Sequence, residues 1–450
     1  MTVVAHQAGA TTSSPHLAGG ALPDAYEELR AEVLEALGRR AVDPGDGGAV
    51  AGLVGELVDA YQARARAGMG GRALADPGAM SGRLCRAVLD FGPLSRFVAG
   101  DQVVEELVIV GADVSYIDAG GRWAMLDEPV TEAELRSVVD RLLASVGLAV
   151  DTANPMVQAQ VLDGSARIGV VIPPVSDVLN ACIRWYLPRH ETLAKLIACD
   201  ALPPAPANLL AACMLTPTGV VITGQPSAGK TSLANAVVRT APESRRVICC
   251  EDTPEIDPRH LSPFRWRTRR AGPDGTGEIN LRDLVRTALG MRPDLIVVGE
   301  VRGAEAYELT RAGNAGCGLV TTLHANSARA GLQALMSTAV MAAVNVDSAQ
   351  VRAVFSSIVD LVVHLDREPL EEAGTGGVRR QVMEVAAVPA LQASEADFCV
   401  EPIFVRDRLG AAMRWTGAPL PDDLATRLDR ALRPRDMSVQ GILDGRDHLV

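Results

Sequence analysis

Apolar residues in the first part of the chain recur every three or four positions, which places them on one face of a helix. Two segments show this spacing, at Tyr26, Leu29, Val33 and Leu37, and again at Leu53, Leu57 and Tyr61. A Gly/Pro-rich loop at residues 44–48 separates them, and a further helix is expected near residues 80–98. We therefore predict a helical bundle over residues 23–98. Residues 1–22 are rich in Ala, Gly, Ser and Thr without periodicity, which predicts a disordered tail.

The pattern changes near residue 100 to short runs typical of strands, at residues 106–110 and 114–118. A helix follows, opened by Thr131 with Glu134 three residues later, which is the sequence of a capping box. These signals predict a compact, PAS-like α+β domain over residues 99–190. Strand-like and helix-like segments then alternate over residues 191–450, as a doubly wound α/β sheet requires. The Pro/Ala-rich stretch 200–208 is either a linker or a helix entrance, and the last 80 residues give weak signals.

A phosphate-binding loop is predicted where a short apolar strand passes into a run of good helix formers, over residues 219–237. Its glycines allow backbone N–H groups to point into one concavity, Lys230 would reach the β- and γ-phosphates, and the Thr231 hydroxyl would coordinate Mg²⁺. The alternative is a coincidental Gly-rich turn. The chain has two lysines, Lys195 and Lys230, so the placement of one here is informative. The predicted nucleotide-binding residues are Gly224, Gln225, Pro226, Ser227, Ala228, Gly229, Lys230, Thr231 and Ser232.

Polar residues follow three further apolar runs, which we expect to be neighbouring strands of the same sheet. Glu300 ends the run 293–300 and could hold a magnesium-bound water or polarise the attacking water. Glu251 ends the run 246–250, and His324 follows the run 319–323, where it could sense the γ-phosphate. The alternatives are an exposed acid at a strand end, a solvated acidic loop and a loop histidine with ordinary partners.

Two sets of arginines are candidates for contacting a neighbouring subunit's nucleotide, as arginine fingers do. One set is Arg265, Arg267, Arg269 and Arg270, and the other is Arg184 at the end of the preceding domain. A solvated charged face is the alternative for each of them.

Charge, cysteine content and hydropathy exclude some classes of function. The net charge of -12 argues against a protein that coats nucleic acid, because such binding depends on Lys and Arg neutralising phosphates. The eight cysteines have no paired CxxC spacing, which favours reduced thiols and a cytoplasmic setting. A signal peptide is not recognisable, and no stretch reaches the roughly 18 apolar residues that span a bilayer. Any membrane association is therefore expected to come through a partner.

Four segments together resemble a known family. GQPSAGKT (224–231), CEDTPEI (250–256), MRPDLIVVGEVRGAEA (291–306) and TTLHANS (321–327) are similar to the Walker A, Asp box, Walker B and His box of the type II/type IV secretion ATPase superfamily. The resemblance is strongest to the CpaF-type branch, which powers tight-adherence (Flp) pili, and it covers roughly residues 90–370. It implies a RecA-like P-loop motor domain, a homohexameric ring, and nucleotide held between the N-terminal and motor domains.

The resemblance also assigns roles. It implies that Lys230 and Thr231 bind phosphate and Mg²⁺, that Glu300 is the Walker B acid and acts on the metal through water, and that Glu251 is the Asp-box acid. His324 corresponds to the second His-box histidine, and Arg184 to an arginine that reaches towards nucleotide. Hydrolysis would drive an inner-membrane platform protein from the cytoplasmic face of the membrane.

Several positions depart from the family's usual residues, namely Gln158, Gln160, Gly290, Cys317, Ala334 and Met336. These departures remove polar contacts and leave Lys230, Thr231 and Glu300 intact. We infer, as a hypothesis, secure ATP binding with slow or specialised turnover. The alternatives are an ATP-binding scaffold of the same machinery and, less favoured by the acidic balance, a nucleic-acid translocase.

Overall fold

The computed structural model describes residues 24–450, apart from 44, 187–191, 259–262, 270, 272–275, 315, 343–346, 370–377 and 392–396. The predicted tail 1–22 lies outside the described residues. Contacts within the chain divide it into two units, Met1–Tyr186 and Leu187–Val450. The predicted boundary near residue 190 falls among 187–191, which are also outside the described residues.

The described part of the N-terminal unit begins with helices α1 (Asp24–Arg40), α2 (Gly47–Arg66) and α3 (Pro77–Leu89). Asp46 and Asp76 cap the starts of α2 and α3, because their carboxylates accept the N–H groups of the first helical turn. The helices pack through the apolar positions that the spacing predicts, including Tyr26, Leu29, Leu53 and Tyr61. The third helix ends at Leu89 instead of near 98, since Gly92 takes a left-handed conformation before the short helix α4 (Ser95–Val98).

An antiparallel sheet forms the rest of this unit, in the strand order β3-β2-β1-β6-β5-β4. Helix α5 (Glu132–Ala144) packs against it, and a core that includes Leu107, Leu135 and Ile183 lies between them. The strands are β1 (Val104–Val110), β2 (Asp113–Asp118), β3 (Trp123–Met125), β4 (Met156–Val161), β5 (Ala166–Val171) and β6 (Asn180–Trp185).

The capping box predicted at the start of α5 is half formed. Thr131 Oγ1 accepts the N–H of Glu134 at 3.2 Å. The carboxylate of Glu134, however, is buried and accepts a hydrogen bond from the Tyr26 hydroxyl, and it pairs with Arg83 at 3.4 Å. Arg83 also lies 4.0 Å from the centroid of the Tyr26 ring. Glu134 therefore links α1 and α3 to α5, and this contact raises the pKa of Tyr26 through burial and the carboxylate bond.

The second unit contains a mixed sheet in the order β15-β14-β13-β12-β7-β11-β10-β8-β9. From β12 to β9 the neighbouring strands pair in parallel, whereas β13, β14 and β15 add antiparallel strands beyond β12. The strands are β7 (Gly219–Gly224), β8 (Val247–Glu251), β9 (Phe264–Arg267), β10 (Leu295–Val298), β11 (Gly318–His324), β12 (Leu361–Pro369), β13 (Val378–Ala387), β14 (Glu401–Arg406) and β15 (Met413–Trp415).

Helices cover both faces of this sheet. Alternate residues of one strand belong to different cores, since Ile222 packs in one hydrophobic cluster and Val221 in the other. The helices are α6 (Leu193–Ala198), α7 (Pro204–Cys213), α8 (Lys230–Val238), α9 (Leu281–Leu289), α10 (Glu305–Asn314), α11 (Ala328–Met341), α12 (Ser348–Ile358), α13 (Asp422–Leu432) and α14 (Val439–Leu443). The predicted α/β fold, with helices on both faces of the sheet, is confirmed, and the stretch 200–208 is a helix entrance.

The order of the parallel strands sets the place of the chemistry. Strand β7 lies between β11 and β12, so the loop that follows Gly224 opens at the edge where β8, β10 and β11 also end. In open α/β sheets, ligands bind at this carboxyl edge where the strand order reverses. Among the described helices, none combines the length and apolar character that crossing a bilayer requires.

The C-terminal segment, where the sequence signals are weak, packs on the base of β7. Helix α13 buries Leu424, Leu428 and Leu432 against the sheet. Arg427 of α13 pairs with Asp360, whose Oδ2 accepts the N–H of Gly219 at 2.9 Å. The start of β7 is therefore connected to the C-terminal helix by a half-buried ion pair.

Replacement of Asp360 by Ala is expected to destabilise this unit by about 2–4 kcal/mol, because it removes the partner of the half-buried Arg427 guanidinium and leaves the Gly219 N–H without its acceptor. The free energy of unfolding in urea measures the effect. Asp423→Ala is the matched control, since Asp423 also contacts Arg427 at 2.9 Å but is exposed, and its loss is expected to cost less than about 0.5 kcal/mol. Equal losses in the two variants would contradict this account of the base of β7.

Candidate functional site

The loop between β7 and α8 has the backbone of an anion site. Gly224, Ser227 and Gly229 have positive φ angles of 154°, 59° and 95°. A Cβ on Gly224 would lie 2.5 Å from the Leu365 carbonyl oxygen, so the close approach of β12 requires glycine. Gly229 precedes α8 in a left-handed conformation and provides no side-chain cap. The first N–H groups of α8 therefore lack a side-chain acceptor, which is the property that favours phosphate at a helix N-terminus.

Lys230 is buried beside this loop. Its ammonium donates to the carbonyl oxygens of Gly224 at 3.1 Å and Gln225 at 3.0 Å, and it lies 3.1 Å from Nδ1 of His324. An ammonium group cannot accept a hydrogen bond, so Nδ1 must be the acceptor, and the neutral imidazole carries its proton on Nε2. The lysine and the histidine predicted from separate motifs are thus in direct contact.

His324 also reaches the acid that follows β10. Its Nε2 lies 2.7 Å from Oε1 of Glu300, and Arg302 contacts the other carboxylate oxygen at 2.5 Å. Glu300 stands two residues beyond the end of its strand and is partly buried. Lys230, His324 and Glu300 consequently form a continuous contact chain, which we call the Lys–His–Glu chain, across the ends of three strands.

The residues present fit a divalent cation held partly by water. Glu300 Oε1 is buried beside His324 Nε2, and its other lone pair has no acceptor role towards the described residues. A water bound to a cation would satisfy this oxygen. The described part of the chain has no cluster of three or more His, Cys, Asp and Glu side chains that could hold a metal by itself. Mg²⁺ commonly keeps several waters and uses substrate phosphates as ligands, which agrees with this sparse donor set.

Glu251 is a second buried acid at this edge of the sheet. Its Oε1 accepts the N–H groups of Glu255 at 3.0 Å and Ile256 at 3.1 Å. Burial nevertheless raises its pKa from 4.5 to about 7. A Cβ on Gly299 would lie 2.9 Å from Glu251 Cγ, so glycine immediately before Glu300 makes room for the acid of the neighbouring strand. The sequence could not reveal this packing, since the two residues are far apart in the chain.

Two of the candidate arginines in the second unit have partners of their own. Arg265 lies 3.9 Å from Asp257, and Arg269 Nε donates to the Gly277 carbonyl at 2.6 Å. Arg267 is exposed, and Arg270 lies outside the described residues. Arg184 is exposed on β6 of the other unit. A role for any of these arginines at a neighbouring subunit therefore stays a prediction.

Two further side chains contact this region although sequence reasoning did not select them. Arg380 of β13 donates from Nε to the Ser227 carbonyl oxygen at 2.9 Å. His364 of β12 is buried, its Nδ1 lies 3.0 Å from the Thr223 hydroxyl, and burial lowers its pKa. Both lie more than 130 residues from the loop in the chain, so no local signal could have found them.

Comparison with known proteins identifies the family. The sequence model of the family described as "Type II/IV secretion system protein" matches residues 88–400, a span that includes all the site segments of the second unit described above. The chain belongs to this family. The resemblance predicted at the level of the superfamily is therefore confirmed, whereas the CpaF-type branch stays a prediction.

Curated relatives carry related descriptions. A putative conjugal transfer protein of Mycobacterium tuberculosis is 33% identical over 305 residues, which are 66% of this chain and 84% of that protein. The probable conjugal transfer protein TrbB of Sinorhizobium fredii is 29% identical over 60% of this chain and 81% of its own length. The type IV secretion system protein VirB11 of Bartonella quintana is 24% identical over 61% of this chain and 87% of its own length.

Two solved structures to which the chain is similar are an ATPase and a pilus motor. The VirB11 ATPase of Brucella suis covers 65% of this chain and 91% of its own, with 23% identity and a TM-score of 0.33. The pilus retraction motor PilT with bound ADP covers 66% and 82%, with 21% identity and a TM-score of 0.47. The α/β assignment of this family member rests on its own strand order.

The raised pKa of Glu251 makes stability depend on pH. The unfolded chain releases this proton near pH 4.5 and the folded chain near pH 7, so stability from the protonated acid is complete below 4.5 and is lost as the pH rises through 7. Glu251→Gln removes this titration. Relative to wild type, the variant should gain on the order of 2–3 kcal/mol in free energy of unfolding between pH 4.5 and 8.

Urea unfolding at a series of pH values measures this difference. Asp252→Asn changes the exposed neighbouring acid and serves as the control. A pH-independent difference for Glu251→Gln would show that the buried acid does not hold its proton.

Proposed function

We propose that this family member hydrolyses ATP and works as a motor of a type II/IV secretion or pilus apparatus. The observation that carries the proposal is the Lys–His–Glu chain at the opening of the phosphate loop. It combines a buried cation, a histidine and a carboxylate; phosphoryl transfer to water uses a cation at the phosphates and a polar group that positions the water. The family to which the chain belongs supports the same reading.

Nucleotide binding is assigned to the loop and the first turn of α8. Backbone N–H groups of residues 225–232 and the N-terminus of α8 would bind the phosphates, and the Lys230 ammonium would exchange its carbonyl partners for phosphate oxygens. The loop supplies these groups in a conformation that its positive φ angles fix in advance. Mg²⁺, held by the Thr231 hydroxyl and through water by Glu300, would neutralise charge on the phosphates.

The acids and the histidine are assigned to the attacking water. Glu300 Oε1 would accept a hydrogen bond from that water and align it with the γ-phosphate. Hydrolysis to ADP and phosphate releases a proton near neutral pH, and Glu251, with a pKa of about 7, is suited to take it. His324 connects the phosphate side of the site with the water side, because its two ring nitrogens face Lys230 and Glu300.

The finer assignments extend the proposal to the assembly. We infer a homohexamer of the CpaF type, with nucleotide between the N-terminal and motor domains and Arg184 directed towards it, acting on an inner-membrane platform protein at the cytoplasmic face. Relatives described as conjugal transfer and VirB11 proteins support a role in transport across the envelope. A scaffold that binds ATP without turnover is distinguished by single-turnover hydrolysis at saturating ATP.

Lys230→Ala is expected to reduce the rate of ATP hydrolysis by at least about 100-fold and to weaken nucleotide binding, because it removes the cation that faces the phosphates. Phosphate release under steady-state conditions and calorimetry with MgATP measure the two effects. Lys195→Ala is a matched control, since it removes the chain's other lysine from an exposed position on α6.

Wild-type rates of ATP hydrolysis in both Lys230→Ala and Lys195→Ala would refute the proposed motor function. The absence of MgATP binding by folded wild-type protein would refute the nucleotide site itself.

Glu300→Gln is expected to retain nucleotide affinity within about threefold and to lower kcat by about 100-fold or more, since the amide cannot polarise water as a carboxylate does. His324→Ala should lower kcat by about tenfold, because it separates Lys230 from Glu300. His448→Ala, which changes an exposed histidine near Asn208, is the control. A loss of affinity without a loss of kcat in Glu300→Gln would assign this acid to binding instead.

A further inference from the structure

Arg380 of β13 reaches the phosphate loop from the antiparallel side of the sheet. Its Nε donates to the Ser227 carbonyl oxygen at 2.9 Å across a sequence separation of 153 residues. Its Cδ would lie 3.9 Å from a Cβ placed on Gly229. The side chain therefore packs along the loop and also forms a directed bond to its backbone.

The bonded residue is the part of the loop that depends most on outside support. Ser227 has a φ angle of 59°, a left-handed conformation that is unfavourable for a residue with a Cβ. The trans peptide after it is planar, so its C=O and the N–H of Ala228 point in opposite directions. That N–H donates to the Gln225 carbonyl at 3.3 Å, which closes the turn. Because Arg380 bonds to the Ser227 oxygen, it fixes the orientation of the peptide between Ser227 and Ala228.

The strand that carries Arg380 is itself firmly held. The next residue, Gln381, is buried and donates to the Asp200 carbonyl oxygen at 2.9 Å and to its carboxylate at 2.8 Å. Its Oε1 accepts the N–H of Gly410 at 2.7 Å, and the N–H of Val382 donates to Ala201 at 2.8 Å. These bonds fix the position of β13, and therefore the backbone position of Arg380.

We propose that Arg380 is a positioning residue that holds the phosphate loop in its nucleotide-binding conformation before nucleotide arrives. The proposal rests on the proposed function of the loop and adds a residue from outside its motif. Because the bond is made to the loop backbone, its effect falls on nucleotide affinity and on loop order, and the rate of the chemical step stays the same.

The test uses the full chain with three substitutions. Arg380→Met keeps the aliphatic stem and removes the donor, whereas Arg380→Gln keeps an N–H donor at the same distance along the side chain and removes the charge. Arg379→Met is the matched control, since Arg379 is the adjacent arginine and pairs with Glu368 at 2.8 Å. Hydrogen exchange of peptides covering residues 224–231 without nucleotide, the Kd for MgATP and ADP, and kcat are measured for each.

Arg380→Met is expected to speed exchange in the loop and to raise both Kd values by about tenfold, as the loss of a charge-assisted hydrogen bond predicts, with kcat changed by less than about twofold. Arg380→Gln should stay within about threefold of wild type, and Arg379→Met should equal wild type. If Arg380→Met does not fold, Arg380→Gln carries the test, and a tenfold weaker affinity in it would overturn the proposal.

Equal loop exchange and Kd in Arg380→Met and Arg379→Met would also overturn it. Failure of the proposed function has a different signature, since wild-type protein would then bind no nucleotide while the exchange of residues 224–231 still reports whether Arg380 orders the loop.

Discussion

The parallel pairing of β7 with its neighbours is the constraint on which the site depends. Parallel strands end at one edge of the sheet, so Gly224, Glu251, Glu300 and His324 meet although as many as 100 residues separate them. The buried, near-continuous apolar sequence of these strands enforces that order, because each strand packs helices on both faces. Once the strand order is set, it also determines where the loops that follow the strands lie.

The charged side chains at this edge of the sheet have different electrostatic surroundings although they are close together. Lys230 is buried among carbonyl oxygens and an imidazole nitrogen, which compensate its charge. Among the described residues no cation contacts the buried Glu251, and burial raises its pKa. Glu300 is partly buried and contacts Arg302.

The sequence predicts those parts of the site whose chemistry lies next to a strand in the chain. Lys230, Glu300 and His324 were identifiable because each follows an apolar run within a few residues. The packing of Gly299 against Glu251 and the bond from Arg380 depend on register and on antiparallel pairing, which local patterns do not encode. Strands β13 to β15 gave weak signals because polar residues such as Arg379, Arg380 and Gln381 interrupt their apolar positions. The half-formed capping box shows a tertiary contact prevailing over a local motif.

Strand β7 is held at both of its ends. At one end Gly219 bonds to Asp360, which pairs with the C-terminal helix, and at the other end Gly224 begins the phosphate loop. Between them the strand is hydrogen-bonded to β11 and β12 on both sides, so it cannot stretch or slide by a fraction of a residue. The strand therefore behaves as a rigid element. A displacement of the loop after Gly224 requires either a change in the conformation of the loop itself or a rotation of the whole sheet.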